Sequence, residues 1–163
     1  MKIKLASKKN LPQMRKIFNY GRKIQLESGN LNQWQEGYPS DALILEDIQK
    51  RAAHLSLNDN GEILAIFSLF TEADPTYTKI NGNWLNNEKY ATIHRIASSG
   101  IVSAAGQDCI KWVLKQYDNV RIDTHHKNEQ MKHVLEKLGF HYCGIIYLEN
   151  GEERNAYQYS SGI

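Results

Sequence analysis

The sequence holds little of what builds special architectures. Two of its 163 residues are cysteine. Cys109 and Cys143 lack C-x-x-C spacing, and each falls in an apolar pattern, so buried, reduced thiols are expected rather than a disulfide framework or a metal knot. Proline occurs three times, with no Pro-rich, Gly/Ser-rich or repetitive stretch to mark a linker, so residues 1–163 read as a single domain. No apolar run approaches the roughly 20 residues of a membrane span. Met1-Lys2-Ile3-Lys4 leads into a strand pattern rather than a signal sequence, so the expected setting is cytoplasmic with no membrane partner. Basic residues are scattered among acids, with no run longer than Lys8-Lys9, and the formal charge is only +2. Nucleic acid is therefore not an expected partner.

What is present is an ordinary globular composition, 41% hydrophobic and 23% charged, in a chain long enough to bury roughly two thirds of its unfolded surface. Lys2 to Ala6 reads as a strand. Asn10 reads as the cap of a helix with Pro12 in its first turn and Leu11, Met14, Ile17, Phe18 and Ile24 on one face. A second helix is expected after Tyr38-Pro39, capped by Ser40, with Ile44, Leu45, Ile48 and Ala52 inward. The period then drops to two, and His54–Asn58 and Glu62–Thr71 flank the hairpin signal Asp59-Asn60-Gly61. A polar connection with Pro75, Gly82 and Trp84 leads to a strand over Tyr90–Ala97. Ser103 or Ala104 opens a third helix, Val120–Thr124 is a strand, and Asn128–Leu138 is a helix stopped by Gly139. Phe140–Leu148 and Arg154–Tyr159 close the chain as a hairpin around Asn150-Gly151. The order β-α-α-β-β-β-α-β-α-β-β predicts a mixed α/β fold with helices on both faces of a central sheet.

One junction suits an anionic ligand. The strand Tyr90–Ala97 passes through the small-residue loop Ser98 to Gly106 into a helix N-terminus, where unsatisfied N–H groups and the positive dipole end favour a phosphate. The same pattern also serves as plain connectivity.

The whole chain resembles the GNAT acetyltransferases. Thr92-Ile93-His94-Arg95-Ile96-Ala97 is similar to the strand that pairs with the pantetheine arm in that family. Gly106 lies where the second glycine of its Q/R-x-x-G-x-G/A pyrophosphate loop belongs. Asn128 through Glu136-Lys137-Leu138-Gly139-Phe140 is similar to its N-x-x-A-x-x-L-Y-E-K-x-G-F ending. The resemblance implies an acetyl-CoA N-acyltransferase fold. It also implies transfer of an acetyl group from acetyl-CoA to a primary amine, borne by a small molecule or a peptide. Cofactor contacts are implied at Ile96, Ala97, Ser98, Ser103, Ala104, Ala105, Gly106, Gln107, Asn128 and Met131. The chain departs from the pattern at Ile101, in place of Gln or Arg, and at Ala104, in place of the first glycine, where a methyl is expected to fit right-handed helical geometry. It departs again at Leu135, in place of the tyrosine that protonates the leaving thiolate. These departures leave room for a non-catalytic acyl-CoA-binding domain, or for an interaction module on the same scaffold. A homodimer is left open.

For such a transfer the acceptor must lose a proton. An alkylamine of pKa near 10.4 costs on the order of 4–5 kcal/mol to deprotonate at neutrality. His94 is a candidate base or a strand histidine hydrogen-bonded near the core. Asp123, at the C-terminal end of its strand, is a candidate base or the partner of Arg95 or Arg121. Trp34, Tyr38 and Tyr157 are candidates to line the acceptor pocket, or else core and rim aromatics. Adjacent His125 and His126 are expected to point apart in extended chain, so no metal site is anticipated. Arg154 reads as a solvated strand-end partner of Glu153.

Overall fold

The computed structural model describes residues 1–29, 34 and 37–163. Its elements are β1 (Lys2–Leu5), α1 (Leu11–Glu27), α2 (Asp41–Gln49), β2 (Ala53–Leu57), β3 (Ile63–Phe70), β4 (Ile80–Gly82), β5 (Ala91–Ser98), α3 (Ala105–Leu114), β6 (Asn119–Thr124), α4 (Glu129–Lys137), β7 (His141–Tyr147) and β8 (Glu153–Ser160). The strands hydrogen-bond in the order β1-β2-β3-β5-β6-β8-β7-β4. β5 and β6 are parallel, and β2 and β3, like β7 and β8, are antiparallel hairpins. The sheet is mixed, as the pattern predicts.

The local signals act as expected where they rest on single side chains. The Ser40 Oγ accepts from the N–H of Leu43 at 3.1 Å, and Asn128 Oδ1 accepts from Met131 at 3.1 Å, each a helix N-cap. Gly139 takes φ +94° and ends α4, with the Phe140 N–H reaching the Leu135 carbonyl at 2.9 Å. At the first hairpin Asn58 Oδ1 collects the N–H groups of Asn60 and Glu62 at 3.0 and 2.9 Å. Asn10 behaves differently. A 3₁₀ turn over Lys8–Asn10 precedes α1, so its side chain turns back to accept from the Ser7 N–H at 2.9 Å.

The chain packs as two compact units, Met1–Leu69 with Ile93–Ile110, and Phe70–Thr92 with Lys111–Ile163. In the first, Met14, Phe18 and Ile44 from α1 and α2 pack with Leu55, Leu57, Ile63, Ile66 and Ala97. The intervening Ser56 meets Cys109 of α3, so helices cover both faces of β2. Both cysteines are buried and unpaired, and burial pushes the Cys109 thiol up to about 12.

In the second unit, Tyr77, Ile146 and Ala156 form a core with Ile80, Trp84, Tyr90 and Leu148 against it. The polar connection carries more structure than its sequence announces. Pro75–Tyr77 is a 3₁₀ turn capped by Asp74, and β4 pairs with β7. Gly82 and Gly144 face each other there at φ +137° and +141°. A Cβ on either would strike the backbone of the opposite strand, at Cys143 or Asn81, so this close approach needs glycine on both sides.

Along α4 the inward stripe centres on Leu135, which is fully buried. The residue standing at the family's tyrosine position thus completes the core. A Leu135→Tyr variant adds bulk and a hydroxyl to a filled site and should lose roughly 1–3 kcal/mol of stability. That is a fall of several degrees in Tm for a chain this size. An unchanged Tm would contradict this placement.

Candidate active site

Strand β5 starts regularly, with Ala91, Thr92 and Ile93 buried. Its register with β6 comprises Ala91↔Val120 and Thr92↔Arg121. Three residues later Arg95 adopts φ +51° inside the strand, left-handed geometry that costs a non-glycine residue about 1–2 kcal/mol. The Arg95 side chain is firmly held. Its Nε donates to Asp47 Oδ2 at 2.6 Å and its Nη2 to Asp47 Oδ1 at 2.9 Å, the two-pronged geometry that suits guanidinium to carboxylate. Asp47, only 4% exposed, also accepts from the Ser68 Oγ at 2.7 Å. Burial alone would lower the Arg95 pKa, but hydrogen bonding and charge from Asp47 prevail and raise it.

His94 is half-buried immediately before this left-handed residue. Ala97 joins the core of α1 and α2. Ile96 lies under α3, so close that a Cβ on Gly106 would touch its Cδ1 at 3.7 Å. Tyr38 is half-buried, its hydroxyl 3.5 Å from Arg95 Nη1. Trp34 is a core ring, 7% exposed, and packs edge-on against Phe18 at 5.8 Å.

Beyond β5 the hydroxyls of Ser98 and Ser99 accept from the N–H groups of Gly100 and Ile101, each at 3.3 Å. Ile101, Val102 and Ser103 are exposed, as is Ala104. Ala104 departs from the sequence expectation: it has φ +64°, left-handed rather than right-handed helical. The chain reverses there to enter α3, a turn for which glycine is the unstrained residue. The first bond of the helix runs from the Asp108 N–H to the Ala104 carbonyl at 2.9 Å. The N–H groups of Ala105, Gly106 and Gln107 therefore precede the helical ladder and point along the positive end of the dipole. Gly106 itself is not left-handed, and its value lies in its lack of a side chain.

In the second unit Asp123 is partly exposed at the end of β6 and accepts from the buried Tyr77 hydroxyl at 2.6 Å. Burial first, and then the Asp123 charge, push the Tyr77 phenol well above its ordinary pKa, so it stays a donor. Arg95 binds Asp47, and Arg121 lies over Trp84 and Tyr90, 4.1 and 4.0 Å from their ring centres, donating to Gln158 and the Asn86 carbonyl. Tyr77 carries no periodic signal, and 46 residues separate it from Asp123; only the Asp74-Pro75 turn hints that its placement is fixed.

The α4 N-terminus holds Asn128 as its cap and Met131, half-buried, one turn on. Tyr157 is 2% exposed and meets Tyr142 edge-on at 5.6 Å; burial raises its pKa. Arg154 is buried rather than solvated, and its ion-pair partner is Glu152, at 3.1 Å. The two histidines do not point apart. A turn closed by the Asn128 N–H on the His125 carbonyl at 2.9 Å stacks their rings 4.4 Å apart. Among the described residues no group of histidine, cysteine and carboxylate side chains is arranged to hold a metal.

No protein-family model matches the chain, and no curated protein matches it in sequence. Solved structures do. A GNAT-family acetyltransferase from Streptococcus agalactiae is 32% identical over 98% of this chain and 94% of its own, with a TM-score of 0.88. A GNAT-family acetyltransferase from Listeria monocytogenes is 18% identical over 98% and 94% of the two chains, with a TM-score of 0.72. A Salmonella typhimurium protein solved with its cofactor acetyl-CoA is 11% identical over 99% and 94%, with a TM-score of 0.65; at this identity and that of the Listeria protein the likeness is one of fold.

His125 gives the region a pH dependence. Its Nδ1 accepts from the Lys127 N–H at 3.1 Å, which fixes the neutral ring with its proton on Nε2. Burial lowers its pKa, aided by His126, Arg154 and Lys127. Below the unfolded value near 6.5 the unfolded chain therefore takes a proton that the folded chain refuses, and stability falls with acidification. His54, likewise lowered by burial, adds to the effect. In Tm measurements from pH 7 to pH 5, His125→Asn should show a shallower acid loss than the parent; an identical slope would contradict this assignment.

Proposed function

The chain belongs to the GNAT acetyltransferase family, and on that premise we propose that it is an N-acetyltransferase moving the acetyl group of acetyl-CoA to a primary amine. The observation that carries this reading is the change of backbone geometry along β5. Its register with β6 ends at Thr92 and its backbone turns left-handed at Arg95, leaving main-chain groups of the strand outside that ladder beside a helix N-terminus.

The residues present fit the donor. Ala105, Gly106 and Gln107 offer main-chain N–H groups to a pyrophosphate, and small side chains at Ser103, Ala104 and Gly106 let it approach. Ile96, Ala97 and Ser98 lie on the strand assigned in this reading to the pantetheine arm. When bound, acetyl-CoA supplies the activated acetyl group as a thioester. A β5 main-chain N–H past Arg95 would stabilise the negative charge that develops on the carbonyl oxygen, a contribution that in other acyl transfers is worth 10²–10³-fold or about 2.7–4 kcal/mol per donor.

His94 is assigned as the base because histidine is the side-chain type that exchanges a proton near neutrality. Asp123, with one oxygen engaged by Tyr77, is the alternative. Leu135 offers no proton to the departing sulfur, and a thiol of pKa near 8.5 needs none to leave. Tyr38, the half-buried member of the three aromatic candidates, is the best placed to meet an acceptor; Trp34 and Tyr157 act from the core. The buried Leu135 favours one second reading, an acyl-CoA-binding domain without turnover.

Calorimetry with acetyl-CoA tests the reading. Gly106→Ala should fold, since its Cβ finds ordinary contact at 3.7 Å, whereas Gly106→Glu should bind at least about tenfold more weakly through charge repulsion at the phosphates. Parent affinity in a folded Gly106→Glu protein would remove the donor from α3. His94→Ala should keep that affinity and lose about 10²–10⁴-fold in kcat with a responsive amine. Binding without transfer to any amine of a broad panel would favour the non-catalytic domain, and no thermal shift with CoA would favour an interaction module.

A further inference from the structure

The left-handed residue of β5 is an arginine, although neither strand geometry nor left-handed backbone favours one. Its carboxylate partner is equally ill-suited to its own element. Asp47 lies in the last turn of α2, where the helix dipole disfavours a negative charge. It is also 4% exposed, where an unpaired charge is not tolerated. Neither residue is explained by the element that carries it, but each is explained by the other. Both carboxylate oxygens receive Arg95, at 2.6 and 2.9 Å, and Ser68 of β3 anchors the same carboxylate at 2.7 Å. The α2 backbone is tied in as well, through the Ala52 N–H to the Asp47 carbonyl at 2.9 Å. Three elements of one compact unit thus converge on a non-glycine strand residue with left-handed backbone. Apolar side chains of equal volume would hold a core together as well. What they would not do is fix one guanidinium in a two-pronged orientation and, with it, the φ of its own residue.

We propose that Asp47 and Arg95 are positioning residues for acyl transfer: their two-pronged ion pair locks the left-handed backbone at Arg95 of β5 and so aims the main-chain N–H beyond it at the acyl carbonyl of the donor. This rests on the reading that β5 receives acetyl-CoA. The pair touches no reacting atom and acts through the backbone. Its loss therefore weakens what depends on the carbonyl and spares what depends on the rest of the CoA molecule.

Binding of acetyl-CoA and of CoA, measured by calorimetry, separates these terms, and the infrared carbonyl stretch of bound ¹³C-labelled acetyl-CoA reads the hydrogen bond directly. In the parent protein the stretch should lie below its solution value. In Arg95→Ala and in Asp47→Asn it should move back toward that value. Acetyl-CoA should weaken by about tenfold relative to CoA, the scale of one lost hydrogen bond, while CoA itself changes less than about threefold. Arg95→Gly, free to take positive φ, should retain more of the carbonyl shift than Arg95→Ala. Asp47→Asn keeps the shape of the site and carries the comparison should Arg95→Ala not fold. A merely structural pair would lower Tm in all three variants and leave the affinity ratio and the stretch as in the parent, which overturns the proposal. A parent protein that binds both ligands with an unshifted carbonyl overturns it alone; one that binds neither overturns it together with the reading of the donor site.

Discussion

Two charges taken out of water hold the first unit in shape. The Asp47 carboxylate and the Arg95 guanidinium are each intolerable alone in their surroundings, and breaking such a buried pair typically costs about 3–5 kcal/mol because the survivor stays unpaired. The exposed pairs, Arg15 with Asp41 and Lys50 with Glu46, contribute little, since solvent screens them. The buried pair is therefore the interaction on which the site depends. In the positioning role proposed for it, it holds the left-handed backbone at Arg95, which follows the end of the β5–β6 register. The strand then continues into the serine-lined turn, the left-handed Ala104 and the open first turn of α3.

The second unit solves a different problem, a polar interior built around one buried guanidinium. Gln158 is fully buried, yet its carboxamide meets the Leu85 N–H, Arg121, Asn86 and Asn119. Arg121 is shielded by the faces of Trp84 and Tyr90, which accept a cation as a weak partner. Such a network stabilises only when every member is satisfied. Beside it, Tyr77 holds one oxygen of Asp123 in place, so the carboxylate at the end of β6 is oriented by a side chain from a turn remote in sequence.

Much of this is legible in the sequence wherever structure is written locally. Ser40, Asn128, Gly139, Asn58 and Gly151 act through bonds spanning two to five residues, and the stripe of α1 follows the helical period through Phe18, whereas Ile24, expected on the same face, is exposed. The misses share one cause: their information is non-local. Thr92, His94 and Ile96 alternate like any regular strand, and nothing in that pattern announces a left-handed residue between them whose side chain is held by an aspartate 48 residues away. Ala104 was expected to be right-handed because alanine usually is; the reversal into α3 overrides the preference. Strand β4 is three residues of Ile-Asn-Gly, visible only through Gly144 across from it. The histidine stack depends on a turn where extended chain was expected, and the burial of Arg154 on its pairing with Glu152. The resemblance in the loop and the α4 ending carried the family, while Leu135 showed its role only once its side chain was placed in the core.

The account stands most directly on the main chain of β5 and the start of α3. Residue-resolved amide hydrogen exchange, with and without acetyl-CoA, reads those groups one at a time. The account predicts rapid exchange in the free protein for β5 amides beyond Thr92 on the edge that β6 leaves, and for Ala105, Gly106 and Gln107, with marked slowing of both sets when acetyl-CoA is added. Slowing confined to other segments, with these amides unchanged, would contradict it.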